Sequence, residues 1–308
     1  MRKPRRTETI DCLGIGIMPL DLLFSVDTYP RAGSKIDGRG LCIQGGGPVP
    51  NVMIALKRMG HSAALITAVA DDLVGRLGLE DLGKEGVDHR FVVFKRGSSD
   101  TAVGVVETPG GRRTMVLNRI IHLTPRDITP LRYPIPRIVH LDGRDLKACI
   151  KLARWGIRVG ATITFDIGSV RNDVSPIFPL VDHLVVADSY AFPFTGARSA
   201  RQAIQRLRRH CPGSIVVTEG IKGSTGFENG AYVRRPAFRV KNVDTTGAGD
   251  AFHAGYIYGL LQGFTMSERL KFGSATAAQK CTRMGARAGL PTAAQVARFL
   301  KKGPPTYA

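Results

Sequence analysis

A glycine-rich run at residues 244–255 holds the residue types best suited to chemistry in this sequence, and it reads DTTGAGDAFHAG. Gly247 and Gly249 allow the backbone to turn sharply, so that successive N–H groups around Ala248 can face one point. The apolar stretch that follows predicts a helix. Free amides at the N-terminus of a helix, together with the positive end of its dipole, attract anions. The run therefore predicts a site that stabilises negative charge, as on a phosphoryl group during transfer.

Asp250 lies in the first turn of that predicted helix, aimed at the same point. A carboxylate there could simply stabilise the helix dipole, as acidic residues at helix starts commonly do. It could also take the proton from an attacking hydroxyl, which is the task of a general base in phosphoryl transfer. The neighbouring anion site favours the second interpretation, because the two groups together suit the transfer of a phosphoryl group to an alcohol.

Short β-branched runs alternate with helical stretches along most of the chain. The predicted strands are residues 10–17, 64–69, 137–141, 159–165, 183–186 and 214–218. The predicted helices are residues 51–60, 146–155, 199–210, 251–261, 266–282 and 293–300. Such alternation predicts an α/β fold in which a central, mainly parallel sheet is covered by helices on both faces.

Residues 88–120 interrupt this alternation with two or three strands joined by turns. Together with residues 33–45 they predict a small antiparallel sheet inserted into the α/β body. Such a sheet could be a lid over a site, a contact between two copies of the chain, or a decorated edge. The pattern by itself leaves these three alternatives open.

The charge of the chain is strongly positive. Its 308 residues include 44 lysines and arginines against 25 acidic residues, a net charge of +19, in an otherwise globular composition with 43% hydrophobic residues. Such an excess could attract nucleic acid, an anionic membrane or an anionic substrate. The basic residues are scattered, form no single stripe and are not interleaved with aromatic residues, so we expect no specific nucleic-acid partner.

The composition also bears on membranes, disulfides and metals. No stretch approaches the about 18 apolar residues that a spanning helix needs, so no membrane association is expected. The five cysteines are widely spaced without a C-x-x-C pair, which argues against disulfides and zinc and favours a reducing cytoplasm. The seven histidines show no spacing typical of metal ligands. The basic run at residues 1–6 lacks the apolar core of a signal peptide, so we interpret it as a tail.

Several segments carry a resemblance to a known family. DTTGAGDAFHAG (244–255) resembles the C-terminal signature of the PfkB, or ribokinase-like, sugar kinases, and GGGPVPNVMIALKRMG (45–60) resembles their N-terminal signature. Further similar segments are AVADDLVG (68–75), VVTEGIKG (216–223), CTRMGARAGLP (281–291) and an early strand ending in Asp21. The resemblance implies one ribokinase-like domain over residues 1–308, with a β-sheet lid formed by residues 33–45 and 88–120.

The resemblance implies an ATP-dependent carbohydrate kinase with a role for each matching position. Asp250 matches the catalytic base that deprotonates a sugar hydroxyl, and Gly247, Ala248 and Gly249 match the anion hole for the transferred γ-phosphoryl group. The positions that match sugar-binding residues are Asp21, Gly46, Gly47 and Asn51. Those that match nucleotide-binding residues are Thr218, Gly220 and Gly223, near the phosphates and ribose, and Ser274, near the adenine.

Metal ions are the part of the family pattern that this chain matches least. Where the family commonly has Asn-x-x-Glu to organise Mg²⁺ and phosphates, this chain has Ala187 and Tyr190, with Asp188 as a candidate substitute. Asp244 and Thr246 match positions that hold a monovalent cation in several members, but they could instead tie down the loop before the anion hole. ATP and Mg²⁺ are therefore the expected cofactors, and K⁺ is a further candidate.

The acceptor is expected to be a ketose, an aldose or an anionic sugar. The chain is most similar to the branch that includes 6-deoxy-6-sulfofructose kinase, in which an Asn on a lid strand and an Arg after a central strand face the anionic end of the substrate. Asn118 and Arg144 occupy comparable places here, although Arg144 could also be a surface cation at a helix start. Asp142 would line the sugar pocket by analogy.

Two alternatives to a sugar kinase stay open. The chain could be a catalytically weak sugar-binding or sensor protein on the same fold, because the Asn-x-x-Glu element is missing. It could also be a nucleoside kinase, although one Trp and 7% aromatic residues give no sign of an aromatic base pocket. The expected partners are the small-molecule substrate, ATP and a second copy of the chain bound through the lid.

Overall fold

A computed structural model provides the fold and describes residues 8–108, 110–168 and 173–302. The basic run at residues 1–6 lies outside these ranges. The strands are β1 (Thr9–Ile15), β2 (Leu20–Val26), β3 (Gly40–Gly45), β4 (Ala63–Ile66), β5 (Ala68–Ala70), β6 (Val93–Lys95), β7 (Thr101–Glu107), β8 (Arg112–Asn118), β9 (Ile135–Leu141), β10 (Thr162–Ile167), β11 (His183–Ala187), β12 (Ser214–Thr218), β13 (Ser224–Glu228) and β14 (Ala231–Arg235). The helices are α1 (Pro48–Arg58), α2 (Leu73–Lys84), α3 (Leu146–Arg158), α4 (Asp188–Thr195), α5 (Ala200–Leu207), α6 (Ala248–Leu261), α7 (Met266–Lys280) and α8 (Ala293–Lys302). Among the helices of the described ranges, none is long and apolar enough to cross a membrane.

Eight strands form the central sheet, in the order β14-β13-β12-β11-β10-β9-β1-β4. Each pairing from β4 to β12 is parallel, whereas β13 and β14 add an antiparallel hairpin at one edge. The predicted mainly parallel sheet is confirmed. The patterns above did not predict the hairpin, although its turn residues Asn229 and Gly230 have φ values of 50° and 83°, as is typical of an Asn-Gly hairpin turn.

The two faces of the central sheet pack against different helices, because successive residues of a strand point to opposite sides. One face carries Val139 and packs against α3, α4 and α5, with Leu152 in its core. The other face carries Ile138 and packs against α1, α6 and α7, with Ile257 in its core. This second face is polar toward the carboxyl ends of β9 and β10, where the buried side chains include those of His140, Asp142, Thr164 and Asp166.

A second, smaller sheet has the strand order β3-β2-β7-β8. A small sheet is confirmed, but it is not antiparallel throughout as expected, because β2 and β7 pair in parallel, and β6 pairs with β5 outside it. One of its strands also corrects an expectation. An early strand ending in Asp21 was expected, whereas β1 ends at Ile15 and β2 begins at Leu20, separated by a loop that contains Pro19, which has no N–H to donate. Because β2 pairs with β3 and β7, Asp21 belongs to the small sheet and not to the central one.

Candidate active site

The N-terminus of α6 is shaped by glycines. Gly247, the residue before α6, has a left-handed φ of 75°, and a Cβ atom there would lie 2.8 Å from the Cβ of Ala286. Both the positive φ and the lack of room for a Cβ atom therefore require glycine at this position. Ala248, Gly249 and Asp250 form the first turn of α6, and a Cβ on Gly249 would meet nothing within 4 Å. The start of the helix is thus open to a ligand on that side, as an anion site requires.

The carboxylate of Asp250 lies beside the amide of Asn51, a residue of the first turn of α1. Asn51 Nδ2 donates a hydrogen bond to Asp250 Oδ2 at 2.6 Å. Burial raises the pKa of Asp250 to about 6, and the charge of Asp166 adds to the rise, while the bond from Asn51 opposes it. A carboxylate in this environment holds a proton more readily than one in water, which suits a general base.

Arg287 orients Asn51 from behind. Arg287 Nε donates to Asn51 Oδ1 at 3.0 Å, so that the Nδ2 end of the same amide faces Asp250. The guanidinium of Arg287 also forms an ion pair with Asp81 of α2 and donates to the carbonyl of Gly46 at 3.3 Å. A chain of hydrogen bonds therefore runs from α2 through Arg287 and Asn51 to Asp250. No motif in the sequence predicted this role for Arg287 or Asp81.

Asp21 faces the same space from the small sheet. It is buried, and a Cβ on Gly46 would lie 2.2 Å from Asp21 Oδ1, so only glycine fits beside it. Burial raises the pKa of Asp21 to about 7. The nearby charge of Arg287 opposes this rise, whereas that of Asp250 adds to it. Gly47 precedes α1 immediately before the turn that carries Asn51. The structure thus brings all four predicted sugar-binding positions together next to Asp250.

Asp142 lies just beyond β9 at the carboxyl edge of the central sheet. Its carboxylate accepts hydrogen bonds from the backbone N–H groups of Ile17, at 3.0 Å, and Arg144, at 2.9 Å. Burial raises the pKa of Asp142 to about 6, whereas these bonds and the charge of Arg144 oppose the rise. Arg144 is half-buried, and its charge also helps to lower the pKa of Asp166.

Asn118 is the predicted site residue that the structure does not bring to the others. It is exposed at the end of β8, where it pairs with Thr101. Alternation along β8 places it on the same side as the exposed Val116. Within the described ranges its side chain makes no hydrogen bond. The following residue, Arg119, instead donates to the carbonyl of Arg144 at 3.0 Å.

Comparison with known proteins decides the family. Residues 9–293 match the sequence model described as pfkB family carbohydrate kinase. The chain belongs to this family. An ATP-dependent ribose-1-phosphate kinase from Halopiger xanaduensis is 30% identical over 297 residues, which cover 94% of this chain and 98% of the relative. The structure of Arabidopsis thaliana ribokinase complexed with ribose and ATP has a TM-score of 0.79 at 21% identity and covers 95% of this chain and 99% of that one. Adenosine kinase from Sinorhizobium meliloti has a TM-score of 0.80 at 21% identity, with 94% and 99% covered.

Membership of the pfkB family makes this protein a carbohydrate kinase, a phosphotransferase whose acceptor is an alcohol group of a sugar. The ribokinase-like fold is confirmed by the similarity to the two solved structures. The finer assignment to the branch that includes 6-deoxy-6-sulfofructose kinase stays a prediction.

Three of the four candidate nucleotide residues of this pfkB kinase lie at the carboxyl end of β12, along the same edge of the central sheet. Thr218 ends β12, and the turn that follows contains Gly220 and Gly223, both with positive φ. Ser274 is buried on α7, which packs against α6. The carboxyl edge of a parallel sheet is where ligands bind in open α/β folds, so these positions are suitably placed for a nucleotide.

The loop before α6 is fixed by Asp244. Its Oδ1 accepts hydrogen bonds from both the N–H and the hydroxyl of Thr246, each at 2.7 Å, and its Oδ2 accepts from the N–H of Gly285 at 2.8 Å. The Nζ of the buried Lys280 donates to the backbone carbonyl of Asp244 at 2.7 Å. Of the two predicted roles for Asp244 and Thr246, these contacts favour tying down the loop.

The segment that replaces Asn-x-x-Glu in this pfkB kinase has a largely structural environment. Tyr190 is buried in the core and stacks on Phe194 with ring centroids 5.2 Å apart, so this position faces away from solvent. Ala187 ends β11 and has no polar side chain. Asp188 begins α4 and accepts a hydrogen bond from the N–H of Ser189 at 2.8 Å. Asp188 is therefore the carboxylate of this segment that could approach a nucleotide-bound cation.

The hairpin between β7 and β8 closes over the loop before α6. Asn242 Nδ2 donates to the carbonyl of Gly110, and Thr245 Oγ1 donates to that of Gly111, both at 2.9 Å. Arg113, next along the hairpin, lies 3.4 Å from Thr245 Oγ1 and lowers the pKa of Asp250 by its charge. Sequence patterns did not single out Arg113, which the hairpin carries to the pocket from a different sheet.

Three buried polar side chains adjoin Asp250 on the central sheet and α6. His253 Nε2 and Asp166 Oδ1 are 3.0 Å apart, and the ring of His140 has its centroid 5.6 Å from that of His253. Burial lowers the pKa of His140 to about 3, and the charge of His253 adds to this effect. Although burial opposes it, the neighbouring His253 holds the pKa of Asp166 below its usual value. Nothing in the spacing of the histidines predicted this cluster.

Proposed function

We propose that this pfkB kinase transfers the γ-phosphoryl group of ATP to a hydroxyl of a small sugar bound between Asp21, Asn51 and Asp250. The 2.6 Å hydrogen bond between Asn51 and Asp250, at the open N-terminus of α6, is the observation that supports this most directly. In the reaction the substrate oxygen forms a bond to the γ-phosphorus while the bond to the bridging oxygen of ADP breaks. The hydroxyl proton passes to the Asp250 carboxylate, and the amides of residues 247–249 stabilise the charge on the phosphoryl oxygens.

We propose an anionic sugar as the acceptor. The charge of Arg144 acts on Asp142 and Asp166, and that of Arg113 acts on Asp21 and Asp250. These two guanidinium groups, in addition to that of Arg287, therefore act on the carboxylates of the pocket. Guanidinium groups are well matched to phosphate or sulfonate oxygens. The relative that acts on ribose 1-phosphate, according to its name, supports a substrate of this class. Arg144 is the principal contact in this proposal, whereas Asn118 faces the outer side of the lid and is no longer included.

We further propose that ATP binds along Thr218, Gly220, Gly223 and Ser274 as its magnesium complex. The donor set fits a cation held mainly by the phosphates, because Asp188 offers one carboxylate at the edge of the sheet while Ala187 and Tyr190 offer no suitable oxygen ligand. When bound, Mg²⁺ neutralises charge on the β- and γ-phosphates. Asp188 would contact it, and α6 and Arg113 would orient the phosphoryl group toward the acceptor.

A coupled ADP-release assay across an acceptor panel tests this function. The panel contains neutral ketoses and aldoses, their phosphate and sulfonate derivatives, and nucleosides. We expect turnover with an anionic sugar and a loss of about 100-fold or more in Asp250→Asn, since a general base contributes that much. The exposed Asp173→Asn serves as the matched control and should keep full activity. Turnover with nucleosides alone would favour the nucleoside kinase, and sugar binding without ADP release would favour the sensor.

We also propose that two copies of this single domain pair through the outer face of the lid. Four apolar side chains form a row across the small sheet on the side opposite to Asp21. They are Ile43, Leu22, Val103 and Val116. Three of them are 45% to 68% exposed in one copy, an arrangement that a second identical sheet could cover. Light scattering coupled to gel filtration should give twice the chain mass, and Val116→Lys should give the monomer.

A further inference from the structure

Two histidines and an aspartate that are distant in sequence converge beneath the start of α6. His140 lies on β9, Asp166 on β10 and His253 on α6, and all three side chains are buried. One potential ligand atom from each lies within 4.8 Å of the corresponding atoms of the other two. A set of two imidazoles and one carboxylate suits zinc and neighbouring transition metals better than Mg²⁺, which prefers oxygen ligands.

The spacing of the first pair already suits a shared ion. His253 Nε2 and Asp166 Oδ1 are 3.0 Å apart. Two atoms that each coordinate one ion at about 2.0–2.1 Å are separated by roughly 3.0–3.4 Å, depending on the coordination angle. An ion could therefore replace the proton between these two atoms with only a small movement of either side chain. That proton would be released to solvent, as is general when histidine binds a metal.

The hydrogen bonds of His140 leave one of its nitrogens available. Thr164 Oγ1 donates to the carbonyl of Val139 at 3.3 Å, so its oxygen accepts the hydrogen of His140 Nδ1 at 2.9 Å. These bonds assign the proton to Nδ1 and a lone pair to Nε2. Across the residues that the structure describes, the buried Nε2 atom of His140 has no hydrogen-bond partner. A ligating histidine usually has this arrangement, with its far nitrogen held by a second group.

We propose that His140, Asp166 and His253 bind one divalent transition-metal ion of the class of Zn²⁺ or Co²⁺. The lone pair of His140 Nε2, otherwise a buried acceptor without a donor, supplies the third bond to the ion. Three protein ligands leave a fourth position for water or for a substrate oxygen. Binding of the ion requires neither ATP nor the acceptor, although His253 lies one helical turn from Asp250 and the charge of Asp166 raises the pKa of Asp250.

The test is a metal titration of the full chain without an affinity tag, after dialysis against a chelator and in the absence of nucleotide. We expect one equivalent of Co²⁺ to bind with the visible absorption of a low-coordinate nitrogen and oxygen site, and Zn²⁺ to displace it. A millimolar excess of Mg²⁺ should not displace the bound Co²⁺. His140→Gln should weaken Zn²⁺ binding by at least about 100-fold, measured by competition with a chromophoric chelator.

A matched control comes from His183, a half-buried histidine that bonds to Tyr256 outside the cluster. His183→Gln should keep the stoichiometry and the Co²⁺ spectrum. Zn²⁺ should also raise the melting temperature of the unmodified chain but not that of His140→Gln. An absent Co²⁺ spectrum in the unmodified chain, or equal Zn²⁺ affinity in the unmodified chain and the His140→Gln variant, would overturn the site. The titration of the unmodified chain needs no variant, so a folding defect cannot leave the question open.

Discussion

Asp250 is the residue whose protonation should govern the reaction, since burial places its pKa at about 6. Only the carboxylate can accept the hydroxyl proton, so kcat/KM should fall by about tenfold per pH unit below the pKa. Asn51→Ala removes a hydrogen bond that favours the charged form and should move the midpoint of the pH profile upward. Asn118→Ala is the matched control and should leave the midpoint in place. Identical profiles for the original chain and Asn51→Ala would contradict the role of this bond.

Arg287 should act as a positioning residue. Replacing it in Arg287→Met frees the Asn51 amide to turn away from Asp250, and kcat should fall by up to about 100-fold. The KM for ATP should change little, because Arg287 contacts no candidate nucleotide residue. Steady-state kinetics separates the two effects.

A matched control for Arg287 is Arg58, which donates to the carbonyls of Arg287 and Leu290, at 2.7 and 3.0 Å, and pairs with Glu85. Arg58→Met removes a guanidinium from the same region without touching Asn51. It should lower the melting temperature and spare kcat. Equal losses of kcat in the two variants would show that Arg287 supports only the fold.

Individual residues were predictable from the sequence where one short segment contains both the chemistry and its setting. Asp250 and Gly247 are of this kind, because the anion site and the carboxylate lie within four residues of each other. Arg287 and Asn51 are 236 residues apart, and His140 meets Asp166 and His253 only because two strands and a helix converge. No local pattern encodes such contacts, so they required the structure.

At the scale of elements, the end of α7 determines how the loop before α6 is held. The buried Lys280 places its ammonium group 2.7 Å from the carbonyl of Asp244, and burial lowers its pKa. Because this positive charge already satisfies the carbonyl, exchange of K⁺ for Na⁺ should change the rate by less than about twofold. Assays in matched chloride salts measure this. Strong activation by K⁺ would show that a cation binds the loop in addition to Lys280.

The element pattern was predictable where strands and helices alternate. β1, β4 and β9 to β12 were expected because each is a short apolar run between polar segments. The hairpin of β13 and β14 was not, because residues such as Arg234 and Arg235 make β14 too polar to resemble a buried strand. Only the Asn-Gly turn between the two strands indicates a hairpin in the sequence. β2 was misplaced because it follows β1 after four residues and then joins a different sheet.

At the scale of the whole molecule, the charge of +19 is only partly connected to the site. Arg113, Arg144 and Arg287 act close to the pocket, whereas many other basic residues lie exposed on surface helices such as α5 and α8. At physiological salt a charge acts over only about 8 Å, so the surface residues contribute modestly to the capture of ATP and of an anionic sugar. Their positive charge is therefore mainly a property of the molecular surface and not of the active site.

The two edge strands of the central sheet differ in exposure and charge, and this difference suggests a function for two of the basic residues. β4, at one edge, is buried along its length, whereas β14, at the other, ends in the exposed Arg234 and Arg235. Arg234→Thr together with Arg235→Thr should increase turbidity on heating or refolding, because an uncharged open edge can pair with the edge of another molecule. Lys301→Thr with Lys302→Thr in α8 removes the same charge away from the sheet and should not.

The hairpin that extends the sheet would then also be its protection against fibrils. Without β13 and β14 the sheet would end at β12, whose apolar Ile215, Val216 and Val217 are fully buried. An exposed strand of that composition is a template for intermolecular β-structure. The hairpin makes β14 the edge strand of the sheet, and the positive charges of its arginines repel the β14 strand of another molecule. In a crowded cell, at concentrations where enzymes collide constantly, this polar margin would keep separate molecules from joining into one sheet.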